Sequence, residues 1–346
     1  MKEIREPKVN RRSFLKISAG VAGLACSLSG SKLVGAADSG TVKTWEKGRL
    51  STLIDLNLCN GCVGEKMPAC VSSCKELNKD RIPPVAATIP EPWPQKTVED
   101  WSGKKEVFNR LTPYNFIFVQ NVVVDEEGKQ RTIFIPRRCM HCDNPACATL
   151  CPFSANHKFE DSAVIIDQEL CFGGAKCKAV CPWEIPQRQS GVGIYLHVLP
   201  SLMGNGVMFK CDLCHERLKK GQIPACIEAC PRKAMLIGPK GEIEAIADER
   251  VRKMNGFIYG KNENGGTSTL YVSPVSFEVI AKRMEKKPGR PDMKPGVKRR
   301  MEGTEKIGKA VLASPAIGLI AGAAGAMGWL AKRKKQVKEQ GEDTNE

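Results

Sequence analysis

Thiols stand at Cys59, Cys62, Cys70 and Cys74, then at Cys139, Cys142, Cys147 and Cys151. A third group holds Cys171, Cys177 and Cys181, and a fourth Cys211, Cys214, Cys226 and Cys230. Every group ends in Cys-x3-Cys, and Pro152, Pro182 and Pro231 directly follow the last thiol of three of them. A Cys-x2-Cys-x2-Cys-x3-Cys-Pro run ligates a polynuclear iron–sulfur core, and its fourth cysteine serves the other cluster of a pair. Here the spacing before the third cysteine varies with inserted loops. The pattern predicts a chain that carries electrons.

Pairing by that rule joins neighbouring groups two and three, and encloses them between groups one and four. The expected ligand sets are Cys59, Cys62, Cys70 with Cys230; Cys211, Cys214, Cys226 with Cys74; and Cys139, Cys142, Cys147 with Cys181. The fourth set, Cys171, Cys177 and Cys151, is one thiolate short. Gly174 occupies the position where the two-x-two spacing expects a cysteine, and glycine offers no ligand. The expected cofactors are therefore three [4Fe–4S] clusters and one [3Fe–4S] cluster. The alternative for the last is a fourth [4Fe–4S] whose open iron takes a non-cysteine ligand.

Other chemistry explains the pattern less well. Cys211-x2-Cys214 with Cys226-x3-Cys230 would pass for a zinc site, but zinc leaves the repeated Cys-Pro endings without a reason. Disulfides suit an exported protein, yet such close crowding suggests no regular framework. His141 and His215 sit within cysteine groups, where a histidine more often donates a hydrogen bond to a cluster sulfur, or is exposed, than ligates. Lys210, Arg137 and Arg138 immediately precede cysteines; they either raise cluster potentials by stabilising the reduced state or are solvated surface charge. No dinucleotide fingerprint, phosphate loop or nucleophile elbow is present. No catalytic residue is expected.

The elements that must hold these thiols are short. With 32 glycines, 22 prolines and only 6% aromatic residues, the chain is loop-rich, so bound metal must contribute to folding. The formal charge of +15 counts cysteine as neutral, and seven of the basic residues lie in 1–36. Four such clusters would add roughly −8, so the basic composition does not argue for nucleic acid. Phe116–Val119 with Val122–Val124 predicts a strand, returned by Thr132–Ile135 through a turn at Glu126–Lys129. Ala163–Asp167 and Ala234–Ile237 predict short strands after cysteine groups, the second closed by a turn at Gly238–Gly241. Residues 75–112, rich in proline, read as a surface excursion.

The termini carry addresses. Arg11-Arg12, a mild apolar stretch and Gly35-Ala36-Ala37 predict a twin-arginine export signal over 1–37, cleaved near Ala36 or Ala37 and taking Cys26 with it. That route suits a protein folded around its metal before export. Residues 38–281 form the expected cluster domain, and 282–309 a basic, proline-bearing linker. Ala310 to Ala331, uncharged and about 33 Å long as a helix, predicts a transmembrane segment, with 332–346 as a cytoplasmic tail. Gly318 and Gly322 would let a partner's helix approach closely.

Cys139-Met-His-Cys-Asp-Asn-Pro-Ala-Cys-x3-Cys-Pro and Lys210-Cys-Asp-Leu-Cys-His-Glu-Arg-Leu resemble the four-cluster ferredoxin-type subunits of bacterial respiratory oxidoreductases. The resemblance covers 52–238. The export signal, the C-terminal apolar segment and Gly265-Gly266-Thr267-x2-Leu-Tyr-Val are similar to the iron–sulfur subunit of membrane-bound, quinone-reducing uptake [NiFe] hydrogenases, and the last motif also to formate dehydrogenase beta subunits. It implies an α+β fold of two nested dicluster units with one C-terminal transmembrane helix, and a non-catalytic wire. The implied partners are a catalytic hydrogenase-type subunit and an integral membrane quinone or cytochrome b subunit, at the periplasmic face of the inner membrane. The alternative is the electron-transfer subunit of formate dehydrogenase or another molybdopterin oxidoreductase. Two departures stand out: five extra residues between Cys62 and Cys70, and Gly174 in place of a cysteine.

Overall fold

The first strand, β1 (Leu50–Asp55), is buried along its whole length, although it contains Ser51, Thr52 and Asp55. Two of these polar side chains find partners inside: Thr52 Oγ1 donates to the Ser268 carbonyl at 3.2 Å, and Asp55 accepts from Arg250 at 2.8 Å. The structure is a computed structural model that describes residues 48–91, 96–126, 128–198, 206–285, 287–303 and 327. All of 48–303 that is described lies in one unit, Val42–Glu346.

After β1 come helix α1 (Ala69–Leu77), the hairpin β2 (Phe118–Glu126) and β3 (Lys129–Arg137), and the one-turn helix α2 (Ala146–Thr149). Next are β4 (Asn156–Lys158), β5 (Val164–Ile166), α3 (Lys176–Val180), β6 (Gln187–Ser190), α4 (Tyr195–Val198) and β7 (Gly206–Phe209). The C-terminal part holds α5 (His215–Lys219), α6 (Ala225–Glu228), β8 (Met235–Pro239) and α7 (Lys240–Met254). It closes with β9 (Phe257–Tyr259), β10 (Thr269–Ser273) and α8 (Phe277–Arg283).

β1 is central in a four-stranded mixed sheet of order β8-β1-β10-β9. It runs parallel to β10, with Thr52 opposite Thr269, and antiparallel to β8, with Thr52 opposite Ile237. A parallel pair needs a long crossover, and here the crossover contains the inner cysteine groups. On one face of the sheet Leu53, Leu270 and Val272 pack against Ile243 and Ala247 of α7. Ile54 and Tyr271 join the main core on the other face. The alternation of a strand therefore divides a helix layer from the cysteine-bearing side.

The β2–β3 hairpin and the β5 strand form where the sequence predicts them. β8 also forms, but the expected turn at Gly238–Gly241 is instead the start of a 15-residue helix. Ile243, Ile246, Ala247, Val251 and Met254 supply its apolar stripe, at helical spacing. Glu242 near its N-terminus and Arg252 and Lys253 near its C-terminus complement the helix dipole. It ends at Asn255 in the left-handed region.

Two surface segments are docked. Ala86 N–H donates to the Gly191 carbonyl at 2.8 Å and Ser190 N–H to that of Glu99 at 2.9 Å, so the 75–112 excursion clasps β6. Within the basic linker, Met293 is fully buried, Leu111 N–H donates to the Gly289 carbonyl at 2.8 Å, and Asn264 N–H to that of Val297 at 2.7 Å. Residues 287–303 thus lie along the body as an extended strap.

The expected fold class is corrected on one point. Among the described residues no helix is long and apolar enough to cross a membrane, so the C-terminal transmembrane helix is not part of the fold found. Segment 310–331, apart from residue 327, lies outside the described residues, as do 1–47 with their predicted export signal. What is described is mixed α/β, with small sheets and many loops.

Candidate iron–sulfur sites

Each cysteine group is a tight loop followed by a helical turn, and the loops share one backbone feature. The residue before the second ligand position has positive φ in all four: Gly61 (67°), His141 (47°), Gly173 (73°) and Leu213 (61°). That conformation disfavours side chains, so His141 and Leu213 adopt it against their preference. It also fixes the alignment of the groups. Gly174 stands where Cys62, Cys142 and Cys214 stand in the others.

A second repeat follows the Cys-Pro endings. Ser154, Glu184 and Lys233 all have positive φ, at 50°, 51° and 49°. Each donates its N–H to the carbonyl of Cys151, Cys181 or Cys230, all at 3.1 Å. Proline favours the turn by fixing φ, and the turn sends the chain away from the thiol.

The helices that carry late cysteines pack in nested pairs. α1, with Cys70 and Cys74, lies against α6, with Cys226. Ser73 Oγ donates to the Ala225 carbonyl at 3.1 Å across that contact. α2, with Cys147, lies against α3, with Cys177.

Two of the four expected thiol sets line voids. Cys59, Cys62, Cys70 and Cys230 line one void of about 340 Å³ with Gly61, Pro68 and Pro231. Cys151, Cys171 and Cys177 line another of about 380 Å³ with Phe172 and Gly174. Burial raises Cys74 well above the usual thiol range, and the nearby Cys226, Cys211 and Cys214 raise it further. Burial does the same to Cys142, reinforced by Cys181, Cys139 and Cys147.

Neighbouring sets are also close to one another. Cys70 feels Cys226 after its own burial, Cys211 feels Cys139, and Cys177 feels Cys147. These influences order the four expected sets in a series. The set of Cys59 is at one end and the set beside Gly174 is at the other.

Between the two middle sets lies a buried cationic junction. Arg138 Nη1 is 3.8 Å from Cys211 Sγ, and Nη2 donates to Thr52 Oγ1 at 2.5 Å. Lys210 Nζ donates to the carbonyls of Val164 and Cys211. Burial would lower the arginine, but Cys211 and Cys226 as thiolates outweigh it and hold it charged. Lys210 is raised in the same way by Cys139, Cys147 and Cys211. The sequence left open whether these were surface charges, and both are buried.

His141 is buried beside them. Its Nδ1 accepts from Val164 N–H at 3.0 Å, leaving Nε2 to carry the proton, 3.6 Å from Cys211 Sγ. His215 has a different role: its Nδ1 lies 2.5 Å from Asp161, and its ring packs on Phe159 with centroids 4.3 Å apart.

The donor set fits iron–sulfur cores. Besides the grouped thiols, main-chain N–H groups of Leu213, Met208 and Ala234 reach Cys211, Cys171 and Cys230 Sγ, each at 3.4 Å, and Asn264 Nδ2 reaches Cys142 Sγ at 3.4 Å. Such donors tune a bound cluster. Arg138 Nε and Arg137 Nε and Nη1 are buried without a hydrogen-bond partner. Buried cations call for buried anions, and for Arg138 the thiolates of Cys211 and Cys226 are at hand. Asn264 and the main-chain donors were not legible in the sequence, because no spacing rule links them to the thiols they reach.

Such an arrangement defines a polycluster ferredoxin-type protein. A 4Fe-4S dicluster domain matches residues 130–240, spanning the inner groups and the fourth. The chain is 30% identical over 190 residues to a subunit of the anaerobic dimethyl sulfoxide reductase of Escherichia coli K12, covering 55% of this chain and 73% of that one. It is 29% identical over 310 residues to the hydrogenase-2 operon protein HybA of Escherichia coli O157:H7, covering 78% and 82%. To the iron–sulfur subunit of the nitrate-inducible formate dehydrogenase of Escherichia coli K12 it is 28% identical over 235 residues, covering 65% and 68%. The chain belongs to the family of multi-cluster iron–sulfur electron-transfer subunits of respiratory oxidoreductases. It carries electrons between catalytic and membrane subunits and is not itself the catalyst.

Proposed function

We propose that this subunit wires a hydrogenase-type catalytic subunit to a quinone-handling membrane subunit through three [4Fe–4S] clusters and one [3Fe–4S] cluster. The reading is carried by the two thiol-lined voids, at Cys59 and at Gly174, and by the mutual electrostatic influence of the cysteines expected between them. Bound there, iron–sulfur cores supply reversible one-electron chemistry. The proposed ligands are Cys59, Cys62, Cys70 and Cys230; Cys74, Cys211, Cys214 and Cys226; Cys139, Cys142, Cys147 and Cys181; and Cys151, Cys171 and Cys177.

The protein's own groups set the conditions. His141, Asn264 and the main-chain donors stabilise negative charge on sulfur, and Arg138 and Lys210 hold positive charge at the middle of the series. Both favour the reduced state locally. A hydrogenase partner is supported by the match over most of the length of the hydrogenase-2 operon protein. The formate dehydrogenase likeness supports a second reading with a molybdopterin partner. Arg11 and Arg12 support twin-arginine export to the periplasmic face, where the membrane subunit would hold the complex.

Anaerobic purification from the native host tests the whole reading. Iron and acid-labile sulfide should be present for four clusters, with a nickel–iron catalytic subunit co-purifying. A molybdopterin subunit in its place would decide for the second reading. Zinc at full occupancy would end both. Replacing Arg11 and Arg12 by lysine should trap the protein in the cytoplasm.

A further inference from the structure

The Gly174 corner is filled. An ideal Cβ built on Gly174 would lie 2.5 Å from both Cε2 and Cζ of Phe172. Gly174 does not have positive φ, so its backbone would accept a side chain, and the ring is what occupies the space. Gly173 is different: its φ is 73°, and a Cβ there would meet the Gly206 carbonyl oxygen at 2.4 Å.

Two of the three loops that bear a second cysteine treat the same position in another way, while the third has Met140 there. Asn60 and Asp212 are the counterparts of Phe172, and their side chains turn back onto the backbone. Cys62 N–H donates to Asn60 Oδ1 at 3.1 Å and Cys214 N–H to Asp212 Oδ1 at 2.8 Å. Each of these residues pins a ligand, whereas Phe172 lies over the place where one is missing. Its ring is also braced from outside. Phe153 packs on it with centroids 4.6 Å apart, and Tyr195 stands 6.4 Å away at 79°. Phe172 lines the same void as Cys151, Cys171 and Cys177.

We propose that Phe172 determines the metal content of this site: its ring closes the corner left by Gly174 and excludes a fourth iron. The inference rests on the three-iron reading of the fourth site. A reduced [3Fe–4S]0 core combines with one Fe2+ to give [4Fe–4S]2+, with charge balanced and no further electron required. The added iron would need room for a water or hydroxide as its remaining ligand. Phe172 takes that room away, so the conversion stops for steric reasons although the sulfides are there to bind the metal.

The test uses the holoprotein, purified without oxygen. Its three-iron EPR signal is recorded in the oxidised state. Dithionite then reduces the sample, excess ferrous ion is added and removed, and an organic dye reoxidises it. Wild type should recover its signal, and Phe172→Ala should lose most of it while gaining bound iron. Phe172→Leu, which keeps more of the packing, should fall between them, and Phe172→Tyr should behave as wild type. Equal retention by wild type and both small variants, or equal loss, overturns the role of the ring and leaves the three-iron reading standing. Absence of an oxidised three-iron signal from untreated wild type overturns that reading instead. Should neither small variant assemble clusters, Phe153→Ala decides, since it removes the outer brace from the Phe172 ring without touching the site itself. Under the same treatment it should lose part of the three-iron signal, and full retention refutes the proposal.

Discussion

His141 Nε2 lies 3.6 Å from Cys211 Sγ, so a side chain from the second cysteine group serves a thiol of the fourth. The two groups are far apart in sequence and, in the proposed pairing, serve different dicluster units. Their contact is where the inner pair of sites meets the outer pair. Because Nδ1 is committed to Val164 N–H, the imidazole points its proton at sulfur without needing to be charged. Burial, with Lys210 and Arg138 nearby, holds its pKa well below the ordinary histidine range and so keeps it neutral.

Removing this donor should lower one potential. A hydrogen bond to sulfur favours the more negative, reduced cluster, so His141→Leu should shift the Cys211 site downward by roughly 30–60 mV, where 59 mV is a tenfold change for one electron. Redox titration followed by EPR would read it. The site lined by Cys59, Cys62, Cys70 and Cys230 should move much less. A uniform shift of every cluster would mean that His141 acts through general loosening of the fold.

Iron removal should unfold the cluster body. Burial pushes Cys59, Cys147 and Cys226 up to about 11 and Cys181 and Cys214 up to about 12, so without metal these thiols are protonated at neutral pH. Arg138 and Lys210 would then be buried without their anions. An uncompensated buried charge costs about 3–5 kcal/mol, a large share of the stability of an ordinary domain. Treatment with chelator and oxidant should abolish cooperative melting by circular dichroism. The sign with pH follows, since metal binding must displace thiol protons: cluster loss should accelerate as pH falls. A chelated protein that still melts cooperatively would contradict this account.

How much of this was legible in the sequence depends on the range of the signal. The thiol groups and the β2–β3 hairpin were readable, because short spacings and period-two alternation leave local marks. α7 had such a mark in Ile243, Ile246, Ala247, Val251 and Met254, but Gly238, Pro239 and Gly241 suggested a turn more strongly. Burial of Arg138 and Lys210 was not readable, since a charged residue beside a cysteine looks the same whether it faces water or a thiolate. The docking of 287–303 was hidden for a related reason. Prolines and lysines predict an extended segment but give no indication of the surface along which it lies.

Neighbouring cysteines on α1 should serve different sites. Cys70 lines the void of Cys59, Cys62 and Cys230, while Cys74, one turn later, sits among Cys211, Cys214 and Cys226. Cys70→Ser should therefore perturb the terminal cluster, and Cys74→Ser the one beside His141. Cys230→Ser should reproduce the spectrum of Cys70→Ser despite the distance in sequence. EPR of the reduced variants would separate the two patterns. If Cys70→Ser and Cys74→Ser erased the same signal, the nested pairing would be wrong.

Two glycines of positive φ, Gly173 and Gly64, should respond unequally to alanine. At Gly173 the backbone has φ of 73°, and the atom a Cβ would meet is the Gly206 carbonyl oxygen of β7, 2.4 Å away. A residue held in a sparsely populated conformation costs about 1–3 kcal/mol, and here the overlap with backbone adds to it. Gly206 cannot easily retreat, because its own Cβ position lies 2.2 Å from the Gln189 carbonyl oxygen on β6. Gly173→Ala should therefore lower stability by more than about 3 kcal/mol and empty the site held by Cys171. Gly64→Ala makes a suitable reference, with φ of 99° but nothing within 4 Å of the added carbon. It should cost only the conformational part, about 1–3 kcal/mol, and keep every cluster. Thermal melts with iron analysis would compare them, and equal losses would show that the close approach of β7 to this loop is not what restricts residue 173 to glycine.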